Sequence, residues 1–232
     1  MKFLLTNDDG VDAPGIRALA EAVAGLGEAV IVAPELHHSG CGHLTTTSRP
    51  LELKALEERR FALDGSPVDC TRVGLTHVAP EAQWVLAGIN EGGNLGADIY
   101  ASGTVAAARE ACLLGRHAIA ISQYIRRRPV DWRQASRWTR HVVDLLLAQP
   151  PGHHALWNVN LPQPIDGSQA MPECVFCDVD PHPLPVHFEM IDGKLHYRAA
   201  YRDRRRTTVH DVEKCFAGAI TISKITLPVI PA

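Results

Sequence analysis

Lys2-Phe3-Leu4-Leu5-Thr6-Asn7-Asp8-Asp9-Gly10 opens the chain and decides its reading. Lys2–Thr6 is a short apolar run without alternation, which suits a buried parallel strand covered on both faces. Two adjacent carboxylates and a glycine then break it, predicting a strand that ends in a polar turn. Asp12 is placed to N-cap a helix with Pro14 in its first turn. Ile16, Leu19, Ala20, Val23 and Leu26 recur at helical spacing until Gly27, which is placed to stop the helix.

The same alternation continues outward. Residues 29–33 predict a second strand and 34–47 a long loop rich in Gly, His and Thr. Residues 51–53 and 60–63 predict a small hairpin. A helix starts at Ser66-Pro67 and runs to about 78, followed by a buried strand over 84–87 and a Gly/Asn-rich loop over 88–102. An Ala-rich helix spans 103–114 and ends at Gly115. Strands at 118–122 and 157–161 flank a helix over 132–147. Strand–helix alternation with short links implies an α/β fold, a mostly parallel sheet with helices on both faces. After Leu161 the pattern weakens, with prolines at 162, 164, 172, 181, 183 and 185 and one late strand at 219–225. Residues 1–161 are therefore expected to be the catalytic core. Residues 162–232 are expected to form an irregular, β-rich extension serving as an oligomerisation arm.

A chain of 232 residues suits one domain with a modest appendage. Its 46% hydrophobic and 21% charged residues exclude a disordered or coiled-coil chain. Lys plus Arg is 23 against 26 Asp plus Glu, a net charge of −3, so no nucleic-acid partner is expected. No apolar run approaches the roughly 18 residues of a membrane span, and the short N-terminal run lacks a leader's features. The expectation is a cytoplasmic protein with no membrane partner. The six cysteines are too scattered for a disulfide scaffold, and Cys174-x-x-Cys177 reads as two small apolar residues beside a strand.

Ligands of open parallel sheets bind at the carboxyl ends of the strands, near a topological switch point. Asp8-Asp9 follow the first strand, Ser39-Gly40 follow the second, and Asn90 lies early in the loop after the 84–87 strand. Adjacent carboxylates repel unless a cation lies between them, and hard divalent ions take carboxylate, amide and hydroxyl oxygens. Asp8, Asp9, Ser39 and Asn90 supply such a set. Alone, Asp-Asp-Gly would be an acidic turn; the later Gly/Asn loop favours the metal reading. Ser102-Gly103-Thr104 opens a helix, whose N-terminus suits a phosphate, although a plain Ser/Thr cap explains the same residues. The first strand is followed by no Gly-x-Gly-x-x-Gly and lacks Asp-x-Asp, and the chain holds no P-loop and no Gly-x-Ser-x-Gly.

With these residues in view, the sequence resembles the SurE family of metal-dependent nucleotidases. The resemblance rests on Leu4 through Val11, Ala13-Pro14-Gly15-Ile16, Val32-Ala33-Pro34 with Ser39-Gly40, and Gly65-Ser66-Pro67-Val68-Asp69-Cys70. It is densest from Gly88-Ile89-Asn90 through Asn94-Leu95-Gly96 to Ser102-Gly103-Thr104-Val105-Ala106-Ala107-Ala108. It covers roughly residues 1–122, with a weaker match at 157–161. Ala101 stands where the family usually has Tyr, and His37-His38 where Arg or Asn is more usual.

The resemblance implies a Rossmann-like core and a homodimer or homotetramer built through C-terminal exchange. It implies hydrolysis of nucleoside monophosphates with one divalent ion, Mg²⁺ or Mn²⁺, per subunit. The implied metal ligands are Asp8, Asp9, Ser39 and Asn90, with Asp8 and Asp9 catalytic. Asn94, Ser102, Gly103 and Thr104 would line the phosphate pocket. The attacking group is left open between a bound water and Asp8. Two rival functions remain, a broad phosphatase acting on sugar phosphates or short polyphosphate, and a non-catalytic nucleotide-binding protein. His43 is a candidate general acid only through its place in the loop after the second strand. The runs Arg126-Arg127-Arg128 and Arg204-Arg205-Arg206 are expected to be solvated surface. Tyr197 and Tyr201 are expected in a subunit contact rather than against a base.

Overall fold

The computed structural model describes residues 1–126, 129–163 and 169–228. Expectations for Arg127, Arg128 and Pro164 fall outside these. The core alternates β1 (Lys2–Thr6), α1 (Pro14–Val23), β2 (Glu28–Pro34), the hairpin β3 (Leu53–Glu57) and β4 (Arg60–Leu63), and α2 (Pro67–Val73). Then come β5 (Trp84–Glu91), α3 (Gly103–Leu113), β6 (His117–Gln123), α4 (Trp132–Leu147) and β7 (Ala155–Leu161). Short strands β8 (Cys174–Phe176), β9 (Phe188–Ile191) and β10 (Lys194–Tyr197) follow, then α5 (Asp211–Phe216) and β11 (Ile220–Thr226).

The main sheet has the order β3-β4-β2-β1-β5-β6-β7-β11-β8. Strands β4, β2, β1, β5, β6 and β7 run parallel, while β3 and β11 pair antiparallel with β4 and β7. The α/β Rossmann-like architecture is therefore present. After β1 the chain builds outward through β2 and β4, then returns to place β5 on the other side of β1. The switch point lies between β1 and β5, where a ligand crevice forms.

Strand β1 shows why the apolar run must be buried on both faces. Phe3 and Leu5 join the cluster with Leu19 and Val23 of α1 and Trp138 and Val142 of α4. Leu4 points the other way, into a cluster with Cys70 of α2 and Val105, Ala108 and Ala111 of α3. A Cβ on Gly15 of α1 would lie 1.9 Å from the Ile89 carbonyl oxygen, so only glycine lets α1 sit this close to β5.

Several local expectations are corrected. Asp12 does not cap α1; Ala13 holds the cap position without a side-chain bond, and Asp12 pairs with Arg60 of β4. The helix stops at Val23 rather than at Gly27, just ahead of Gly25, whose φ of +80° is left-handed. Strand β5 runs four residues past Ala87, with a register shift against β6 between Ala87 and Asn90. Such bulges re-aim side chains near sites. Helix α2 does begin at Ser66, which makes a reciprocal capping box with Asp69, and passes into a π-helical turn over Gly74–Val78.

The region after Leu161 divides. Strand β11 inserts into the main sheet between β7 and β8, while β9 and β10 form a separate hairpin. All six cysteines are free thiols. No described helix is long and apolar enough to cross a membrane.

Candidate functional site

A cleft of about 450 Å³ opens at the carboxyl edge of the sheet. Asp8 and Asp9 reach it from the end of β1, Ser39 and Gly40 from the loop after β2, and Asn90 and Glu91 from the end of β5. Gly92, Gly93 and Asn94 of the following loop and Ser102 at the head of α3 complete this rim. Six of the eight expected site residues thus share one cavity at the switch point: Asp8, Asp9, Ser39, Asn90, Asn94 and Ser102.

The other two, Gly103 and Thr104, sit behind Asp8. Thr104 is fully buried, and its hydroxyl donates to Asp8 Oδ1 at 2.5 Å. That hydroxyl proton is aimed at a carboxylate rather than into the cleft. A Cβ on Gly103 would fall 3.0 Å from Asp8 Oδ2 and 2.8 Å from Cys41 Sγ. Glycine here lets the α3 N-terminus press against Asp8, where its dipole favours negative charge.

Asp8 is 5% exposed. Burial pushes its carboxyl up to about 6; the Thr104 hydrogen bond opposes that rise, and the neighbouring Asp9 adds to it. Asp9 is oriented by Glu91, whose backbone N–H donates to Asp9 Oδ2 at 2.9 Å, and His37 Nδ1 lies 3.4 Å from Asp9 Oδ1. Asn90 donates through Nδ2 to the Gly92 carbonyl at 2.7 Å, which leaves Oδ1 as its end for a cation. Two carboxylates, an amide oxygen and a hydroxyl make a hard donor set suited to Mg²⁺ or Mn²⁺. Among the described residues no three His, Cys, Asp or Glu side chains group to hold a metal. A cation at the cleft would therefore depend on Asn90 and Ser39 as well as on the acids.

The loop carrying Asn94 is anchored by a buried amide network. Asn94 N–H donates to Asn160 Oδ1, Asn94 Nδ2 donates to Ser122 Oγ, and the Asn94 carbonyl accepts from Asn158 and Asn160. Ser102 accepts from the Val105 N–H at 3.0 Å as an N-cap, which leaves its hydroxyl proton to donate. His43 is placed elsewhere: its Nε2 is 2.8 Å from Oε2 of Glu110, a buried acid that also binds Arg72.

Sequence reasoning passed over Leu184 and Asp98 and expected Tyr201 in a subunit contact; all three line the cleft. Arg204, expected on the surface, is 2% exposed and pairs with Asp98 at 2.9 Å. Nothing in a run of three arginines marks which one is buried; that depends on Asp98, more than a hundred residues away.

The SurE family model, described as survival protein SurE, matches residues 3–178. The chain belongs to the SurE family. A protein from Synechocystis sp. is 49% identical over 228 residues, covering 97% of this chain and 99% of its own. The 5'-nucleotidase SurE of Paramagnetospirillum magneticum is 42% identical over 97% of this chain and 89% of its own. The crystal structure of the SurE protein from Aquifex aeolicus superposes with a TM-score of 0.84 at 30% identity, covering 99% of this chain and 95% of that one.

Proposed function

We propose that this SurE-family chain hydrolyses nucleoside 5'-monophosphates to nucleoside and orthophosphate with one divalent cation, Mg²⁺ or Mn²⁺, held by Asp8, Asp9, Ser39 and Asn90. The observation that carries this reading is the convergence of those four side chains, from three separate chain segments, on one cleft at the β1/β5 switch point. The name 5'-nucleotidase SurE borne by the 42% identical relative supports the reaction class. When bound, such a cation supplies positive charge to the phosphoryl oxygens and lets the buried Asp8 stay ionised.

The chain's own groups do the rest. Thr104 and the α3 N-terminus hold Asp8 in place, and the Glu91 N–H fixes the rotamer of Asp9. Asn94 and Ser102 donate to phosphate oxygens from the cleft rim, on a loop that the amide network keeps rigid. Colorimetric phosphate release from AMP, with and without Mn²⁺, tests the proposal, alongside a panel of sugar phosphates and short polyphosphate. Asp9→Ala should lose at least two orders of magnitude in turnover, since it removes one carboxylate of a metal pair. Near-wild-type turnover of that variant, or activity indifferent to metal, would overturn the site.

A further inference from the structure

The cleft is far larger than one orthophosphate requires, and its volume falls within the range of small-molecule sites. Most of its lining is small or polar, whereas Leu184 and Tyr201 bring carbon-rich surface to it from the C-terminal segment. Tyr201 is 36% exposed, and its ring packs against Tyr124 at 6.4 Å and Phe216 at 6.2 Å between centroids, so it meets the cleft with the part these neighbours leave uncovered.

Tyr201 opens a 3-10 turn over Tyr201–Asp203 and is held there by side-chain contacts. Its hydroxyl donates to Asp98 Oδ2 at 2.5 Å, and Arg204 Nη1 donates to the same oxygen at 2.9 Å. The Arg204 guanidinium lies 5.0 Å from the centre of the Tyr201 ring, and Arg204 Nη2 donates to the Leu95 carbonyl at 3.1 Å. Leu95 directly follows Asn94, and Asp98 lies four residues beyond Asn94. The buried Asp211 strengthens the tie, accepting from the Gly96 N–H at 2.9 Å. The aromatic wall and the phosphate-side loop are therefore one fastened unit, so a ring fixed before binding loses little freedom when a ligand arrives.

We propose that Tyr201, with Leu184 beside it, forms the nucleoside subsite of this cleft and contacts the base, and that the Asp98–Arg204 pair is a positioning element that fixes Tyr201 relative to the phosphate end. The inference rests on the nucleotidase reading and names the part of the substrate that the strand-end residues leave unrecognised. Contact with an aromatic ring and an aliphatic side chain reads no hydrogen-bond pattern, so the subsite selects for a base over none rather than for one base over another.

The test compares AMP with ribose 5-phosphate, which lacks the base, on the Mn²⁺-loaded full chain, together with direct calorimetric titration with adenosine. Tyr201→Ala should raise KM for AMP about tenfold and weaken adenosine by the same factor. Its kcat and all ribose 5-phosphate constants should stay within about twofold. Tyr201→Phe, which keeps the ring, should restore most of the AMP affinity and guards against a folding defect. Equal losses on AMP and ribose 5-phosphate, no loss on either, or no adenosine binding by the unaltered protein would each overturn the subsite. If the unaltered protein binds adenosine through Tyr201 yet releases no phosphate from AMP, the nucleotidase reading fails while the subsite stands.

Discussion

Thr104→Val isolates one hydrogen bond at the heart of the site. Valine matches threonine in shape, and the position is fully buried near the start of α3, so packing is little disturbed. What is lost is the 2.5 Å donor to Asp8 Oδ1. A hydrogen bond to a charged group contributes roughly 1.5–3 kcal/mol, which at 1.36 kcal/mol per unit is about one to two pKa units. The bond favours the ionised acid, so removing it moves the Asp8 carboxyl upward from about 6 to roughly 7–8. Protons then compete with the cation over a higher pH range. From the ionised fractions, Mn²⁺ binding at pH 6 should weaken roughly 5- to 50-fold, and the gap should shrink to about twofold or less at pH 8. Calorimetric Mn²⁺ titration at both pH values, with orthophosphate inhibition measured in parallel at pH 8, checks this. An unchanged Mn²⁺ pH profile with weakened phosphate inhibition would refute the reasoning and return Thr104 to direct phosphate binding.

Other expectations follow from single contacts. In metal-free protein, ionised Asp8 costs folding free energy, because its folded pKa of about 6 exceeds the ordinary 3.8. The cost is absent below about pH 4, builds as pH rises to about 6, and reaches about 2–3 kcal/mol. Asp8→Asn should therefore melt higher than the parent in EDTA at pH 7.5 while losing activity, and the difference should vanish near pH 4; an equal or lower melting temperature at pH 7.5 would count against the burial argument. Gly15→Ala forces a methyl against the Ile89 carbonyl and should cost about 1–3 kcal/mol in urea unfolding, whereas an unmoved midpoint would show that α1 can shift. The β9–β10 hairpin exposes Phe188, Met190, Leu195 and Tyr197, each more than half open, so light scattering at micromolar concentration should find a dimer or tetramer rather than a monomer.

The parallel core was legible because each of its strands is a short apolar run, which double-sided burial demands. That Asp8, Asp9, Ser39 and Asn90 share one cleft was legible because the switch-point rule says where on such a sheet to look, and polar residues collected there. The overlooked features each depend on a non-local partner. The end of β5 hides because Gly88, Asn90 and Glu91 resemble a loop, and only pairing with Ser122 and Gln123 of β6 makes them a strand. Asp12 has the chemistry of a cap, but Arg60 of β4 claims it. The segment 219–225 reads as a strand on composition, yet its antiparallel place beside β7 follows from a connection of nearly sixty residues, which local pattern does not encode.

Gly103 and Thr104 show the subtler limit. Ser-Gly-Thr at a helix head is chemically a phosphate clamp, and the residue types alone do not distinguish an external anion from an internal one. Here the anion nearest both is Asp8. The glycine removes the Cβ that would strike its carboxylate, the threonine donates to it, and the helix dipole favours its charge. Ser102, one step earlier, lines the cleft itself. Three consecutive residues thus split across two layers, one lining the cleft and two packed against Asp8. The helix that would attract a phosphate also keeps Asp8 partly ionised in a buried place, so substitutions behind the cleft should act first on Asp8 and only through it on the phosphate.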